Sequence, residues 1–121
     1  MTLTDERVQR ALSRGHRMDI TTIGRKSGQP RRIELVFHNV DGRVLISGRP
    51  GFPRSWLANL AANPRFTFHL KGAVEADLPA TARVVSDRAE REQLLAPIAA
   101  SWGYELSVMV ASAPLVEVTF D

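Results

Sequence analysis

The sequence predicts a mainly β domain with short helices (α+β), an antiparallel barrel or strongly curled sheet with helices at its rim. Three observations point there. About seven β-branched or alternating segments recur at meander spacing. Short turns rich in Gly, Asp and Pro join them. Brief helical stretches interrupt the series, and no internal repeat or low-complexity segment appears.

Residues 4–14 read as a helix. Thr4 can cap it, Asp5 and Glu6 suit its positive end, and Val8, Ala11 and Leu12 form one apolar stripe before Gly15. A strand over 19–23 enters a basic turn, and a second strand over 32–40 leaves it. Asp41-Gly42 is a hairpin turn that favours positive φ, with 43–47 as the return strand. Residues 48–53 form another turn, where Pro53 suits a first helical position. The helix that follows carries Trp56, Leu57 and Leu60, and Asn63-Pro64 stops it. Strands are expected over 66–70, 74–78 and 81–85, with Lys71-Gly72 as a turn. Asp87 and Glu90 make a capping pair for a helix that buries Leu94, Leu95 and Ile98. A short helix over 104–111 and an alternating strand over 115–120 close the chain.

At 121 residues this is one domain, 1–121, able to bury roughly two-thirds of its unfolded surface. The absence of cysteine excludes disulfides, thiol catalysis and thiolate metal sites, and fits a reducing compartment. The first residues lack the apolar core of a signal peptide, and no apolar run approaches the roughly 18 residues that span a bilayer. A soluble cytoplasmic protein is expected. The net charge of +3 is unevenly placed: eight basic residues face three acids through Arg32, and eight face ten thereafter. Such a localised field suits a small anionic ligand better than a long polyanion.

That charge concentrates in Thr21-Thr22-Ile23-Gly24-Arg25-Lys26-Ser27-Gly28-Gln29-Pro30-Arg31-Arg32. Glycines permit a tight reversal, and the N–H groups of a turned backbone can converge on one anion. Lys26 is a compact mobile charge, while Arg25, Arg31 and Arg32 offer paired donors to phosphate or carboxylate. The stretch therefore reads as an anion cradle, with a solvated basic hairpin as its plain alternative. Its spacing fits neither a P-loop nor the dinucleotide fingerprint.

The same stretch resembles the signature of the deazaflavin-dependent nitroreductase family, also called the F420-dependent quinone reductase family. Three later features match in the same order: Asp41-Gly42 with its following strand, the Gly48 to Gly51 turn, and Trp56-x-x-Asn59-Leu60-x-x-Asn63-Pro64. The resemblance covers roughly residues 17–90. It implies a split β-barrel of the pyridoxamine-phosphate-oxidase (FMN-binding) type and a bound F420, an 8-hydroxy-5-deazaflavin that passes a hydride to a small quinone, nitro or enone acceptor. By position, Lys26, Ser27, Gln29 and Arg31 would hold the cofactor's phosphate and acidic tail, with Arg25 and Gly28 in the same turn. Ser47, Gly48, Arg49, Pro50 and Gly51 would lie against the phosphate or the ring, and Trp56 and Asn59 would line the cleft. Phe52-Pro53-Arg54-Ser55, Val36 and the carboxyl-terminal segment depart from the family pattern. These departures bear on the acceptor more than on the cofactor.

Several residues carry two readings. Tyr104 could orient an acceptor or donate a proton, or be a rim aromatic. Trp56 could touch a ligand or pack its helix onto the sheet. His38 and His69 could ligate metal or haem, but no third ligand is implied and strand-face roles suffice; no metal site is expected. Glu34, Glu75 and Asp77 read as outward charges. FMN or haem on the same barrel, or a non-catalytic module binding an anion, nucleic acid or a membrane surface, compete with the deazaflavin reading. Arg7, Arg10 and Arg14 share one side of the first helix and could contact anionic lipid. The wider barrel class is often dimeric, which leaves a homodimer open.

Overall fold

The computed structural model describes residues 5–51 and 53–121. Its elements are α1 (Glu6–Arg14), β1 (His16–Ile23), β2 (Pro30–Val40), β3 (Arg43–Ser47), α2 (Ser55–Ala62), β4 (Arg65–Leu70), β5 (Ala76–Val84), α3 (Arg88–Trp102), α4 (Leu106–Ser112) and β6 (Leu115–Phe120). Every strand pairing is antiparallel, and the order β1-β2-β3-β6-β5-β4 returns to β1 as a closed barrel.

There are six strands among the described residues, not seven. The segments expected at 74–78 and 81–85 run together as β5, straight through Pro79. Pro79 faces Thr67 on β4 and lies one residue outside the β5–β6 ladder, which begins at Ala80↔Phe120. Its missing N–H therefore breaks no rung with β6, and its carbonyl still accepts the Asp121 N–H at 3.2 Å.

Other boundaries shift for local reasons. Asp5 caps α1, its carboxylate accepting the Arg7 N–H at 2.9 Å; the cap expected at Thr4 lies outside the described residues. Pro53 is not the first helical residue, because α2 opens at Ser55 with Arg54 as N-cap. β1 starts at His16 and β2 at Pro30, since their pairing extends from His16↔Phe37 to Ile23↔Pro30. The β2–β3 hairpin turns on Asp41 (φ 52) and Gly42 (φ 83), the positive angles that match strand twist. Asp87 caps α3 as expected, accepting the Glu90 N–H at 2.9 Å.

Two apolar clusters hold the fold. Met18, Ile20, Phe37, Phe68, Leu78 and Val116 fill the barrel, where Phe68 meets Phe37 and Phe120 edge-on at 5.2 Å. Outside it, α3 and α4 cover Leu45 and Leu115 with Leu94, Leu95, Ile98 and Met109. β3 is buried on both faces, which explains its continuous apolar run. Arg91 knits that second layer, donating to the carbonyls of Val85, Met109, Val110 and Ala113 at 2.6–3.2 Å. Among the described residues, no helix is long and apolar enough to cross a membrane.

Candidate functional site

The β1–β2 connection is shaped by its glycines. The Gly24 N–H donates to the Gln29 carbonyl and the Gly28 N–H to the Gly24 carbonyl, both at 2.8 Å. Gly28 has φ +70, and a Cβ on Gly24 would fall 2.5 Å from Ser27 Oγ. Arg25, Lys26 and Ser27 are thereby lifted to the exposed tip, and β2 brings Arg31 and Arg32 back alongside β1.

Helix α2 fixes this turn through Asn59, which is only 4 % exposed. Its Oδ1 accepts the Arg25 backbone N–H at 3.1 Å and the Arg25 guanidinium at 3.0 Å, while its Nδ2 donates to Thr22 Oγ1 at 3.2 Å. One buried amide thus ties helix, strand and turn together. Arg25 is held by the protein itself, and so is Arg32, which donates to Asp19 at 2.9 Å. Lys71, then Arg32, hold the Asp19 carboxyl below its ordinary value.

Between turn and helix lies a cleft of about 510 Å³, lined by Lys26, Ser27, Arg31, Ile33, Trp56 and Asn59 among others. Among the described residues, Lys26 and Arg31 have no carboxylate and no hydrogen-bond partner. The cleft therefore holds an ammonium and a planar guanidinium without a counter-ion, a donor set suited to phosphate or carboxylate. Arg54, the N-cap residue of α2, makes no side-chain capping hydrogen bond, and Ser55 and Trp56 of its first turn border the same space. Trp56 packs into the core at 6 % exposure, the packing role expected of it, and its side of α2 also forms cleft wall.

Other residues singled out in the sequence sit elsewhere. Gly28 and Gln29 belong to the turn, exposed and off the cleft wall. Ser47 is buried, donating to the Pro114 carbonyl at 2.7 Å. The Arg49 carbonyl accepts from Arg54 at 2.5 Å, a Cβ on Gly48 would meet that guanidinium at 3.0 Å, and the Gly51 N–H donates to the Ser112 carbonyl at 3.3 Å. The bend from Ser47 through Pro50 to Gly51 is thus braced against Arg54 and the α4–β6 connection rather than lining the basic cleft. Tyr104 is exposed beyond the end of α3 and lines neither this cleft nor the hollow described next.

That second hollow, of about 590 Å³ and lined by Arg54, Leu57, Val84, Val110, Ala113 and Pro114 among others, has no local signature in the sequence. Helical spacing places Ser55, Trp56 and Asn59 on one flank of α2 and Leu57 on the other, so α2 is a ridge between the two hollows.

His38 and His69 have separate partners. Both His69 nitrogens are engaged, Nε2 with Thr21 Oγ1 and Nδ1 with Asp77, each at 2.7 Å. His38 stacks edge-on against Trp102 at 5.0 Å, and its burial lowers its pKa. No cluster of three potential ligands occurs among the described residues.

A family model described as F420H(2)-dependent quinone reductase matches residues 3–117. Solved structures share the fold. An F420-H2-dependent reductase (FDR-A) is 24 % identical, with 85 % of this chain and 93 % of that chain covered at a TM-score of 0.62. A Listeria innocua protein provisionally assigned as a pyridoxamine 5′-phosphate oxidase is 12 % identical, covering 98 % and 94 % at 0.67. A third chain, described as a domain-swapped dimer, is 22 % identical, covering 96 % and 93 % at 0.62.

Proposed function

We propose, from the premise that the chain belongs to the F420H(2)-dependent quinone reductase family, that it binds F420 at the basic cleft and reduces a small quinone, nitro or enone acceptor. One observation carries this reading: Lys26 and Arg31 face a common cleft beside Trp56 with no counter-ion among the described residues. Lys26, Arg31 and the Ser27 hydroxyl would hold the cofactor's phosphate and acidic tail. Arg25 adds positive potential while fastened to Asn59. Each charge-assisted hydrogen bond contributes about 1.5–3 kcal/mol, so a few such contacts supply much of a micromolar affinity.

When bound, F420 supplies a hydride from its central ring carbon. The residues of this chain bind, orient and exclude water rather than perform chemistry. The ring and the acceptor must touch for the hydride to pass, so both belong on one side of α2. The apolar hollow beyond Leu57 suits a flat acceptor and the ring edge, with the α2 N-terminus, whose N-cap Arg54 makes no side-chain capping bond, lying between it and the cradle. Lack of cysteine fits the reducing cytoplasm. The dimeric relative makes a homodimer the assembly to test by light scattering.

The test is a titration of purified protein with oxidised F420, followed by cofactor fluorescence, with FMN as the competing probe. Saturation by F420 in the micromolar range, insensitive to FMN, is the expected result. No saturable change at tens of micromolar, or a flavin absorption band in the protein as isolated, overturns it.

A further inference from the structure

The molecule carries a second concentration of positive charge, remote from the cleft. Arg7, Arg10 and Arg14 share one side of α1 and, with Ala11 and Val74, line a shallow groove of about 230 Å³. Arg17 follows, exposed, on β1. The apolar side of α1 is already used, since Val8 and Leu12 are buried in the barrel core. What faces outward is a row of guanidinium groups.

Those groups lack the acidic partners that several exposed arginines have elsewhere on the surface. Arg32 pairs with Asp19, Arg65 with Asp121, Arg83 with Glu90 and Glu117, and Arg88 with Glu92. Among the described residues, Arg10, Arg14 and Arg17 have no acidic partner. Arg7 reaches only its neighbour Asp5, at 3.8 Å and with 75 % of its side chain exposed. β1 runs from this face to the basic turn, so a strand rise of about 3.3 Å per residue sets the two positive regions about 20 Å apart.

We propose that this arginine face of α1 docks the protein on an anionic membrane surface, with phospholipid headgroup phosphates seated along the groove. Charge complementarity favours lipid over nucleic acid. The nine-residue helix presents a short row of cations, and among the described residues the groove they line includes no aromatic side chain on which bases could stack. The basic turn lies about 20 Å away along β1 rather than continuing the row, and after Arg32 ten acids outnumber eight bases, which gives a long polyanion little to follow. A plane of headgroups needs no continuous track. Attachment is electrostatic, since neither Ala11 nor Val74 is large enough to insert deeply. Each arginine held at an anionic surface raises binding about fivefold.

Vesicle co-sedimentation tests this without any cofactor, so its failure is separate from failure of the redox reading. The full chain is mixed with phosphatidylcholine vesicles, with or without about one-third phosphatidylglycerol. Binding only to the anionic vesicles, reversed at about 0.5 M salt, is expected. Arg10→Ala with Arg14→Ala should weaken it about 25-fold, while Lys26→Ala with Arg31→Ala leaves it intact. No sedimentation with anionic vesicles overturns the proposal. So does binding lost in the Lys26/Arg31 variant but kept in the Arg10/Arg14 variant, which assigns the contact to the cleft. Displacement by millimolar inorganic phosphate would show a discrete ion site, and equal retention on duplex DNA a general polyanion surface; either result also overturns it.

Discussion

Replacing Asn59 with alanine removes one buried amide and three hydrogen bonds together. Two are neutral contacts, to the Arg25 N–H and from Nδ2 to Thr22 Oγ1, and each contributes about 1 kcal/mol. The third, to the Arg25 guanidinium, contributes about 1.5–3 kcal/mol. The full sum is not lost, because Arg25 is exposed and returns to water. Thr22, at 1 % exposure, cannot do so. A net loss of about 2–3 kcal/mol follows, or roughly 10 °C in Tm for a domain of this size. The turn carrying Lys26 is then no longer held against α2, and cofactor affinity should fall about tenfold as preorganisation is lost. Asn59→Asp separates the two effects. Its carboxylate keeps both Arg25 contacts, and the Thr22 hydroxyl can turn to donate, so Tm stays near that of the parent. The added negative charge still repels an anionic ligand and weakens binding. Calorimetry and fluorescence titration read the two quantities independently. An Asn59→Ala protein within about 2 °C of the parent and with unchanged affinity would refute the clamp.

Further outcomes follow from the same geometry. Lys26→Ala with Arg31→Ala should reduce F420 affinity at least about tenfold at constant Tm, since among the described residues neither side chain has a hydrogen-bond or ion-pair partner; circular dichroism that collapses along with binding contradicts this. The Glu90 carboxyl is held at about 2 by Arg83 and then Arg43, and Glu117 lies below its ordinary value through Arg43 first. Both folded values lie below the unfolded 4.5, so their stabilisation is complete above that pH and is lost as pH falls toward 2. Tm should therefore drop through this window, less steeply in Glu117→Gln, and a flat profile would count against the network. Arg91→Met removes four side-chain hydrogen bonds to carbonyls and should cost about 3 kcal/mol by chemical denaturation, with a negligible change excluding its bracing role.

Local signals were legible because local chemistry decides them. Asp41-Gly42, the Asp87 cap and the alternation of β6 each state their structure within a few residues. The split placed at Pro79 shows the limit of such signals. A proline breaks a strand only if its nitrogen must donate, and that depends on where β6 stops pairing. Barrel closure has the same character: β1 meets β4 through Asp19↔His69, Ile20↔Phe68 and Thr21↔Thr67, rungs about 50 residues apart that no turn motif announces.

The cradle divides along the same line. That glycines would bend the chain and gather cations was readable from spacing, whereas which cations remain free was not. Arg25, Lys26, Arg31 and Arg32 look equivalent in sequence, yet barrel geometry gives Arg25 to Asn59 and Arg32 to Asp19 and leaves Lys26 and Arg31 open. Asp19 and Arg32 meet because β1 and β2 pair in the register that sets Thr21 opposite Arg32. A shift of one residue would turn Arg32 to the other face and leave Asp19 with Lys71 alone. Which cations stand open at this turn is therefore a property of the barrel's register as much as of its basic composition. Substitutions in β1 that disturb pairing should lower affinity even where every cation is kept.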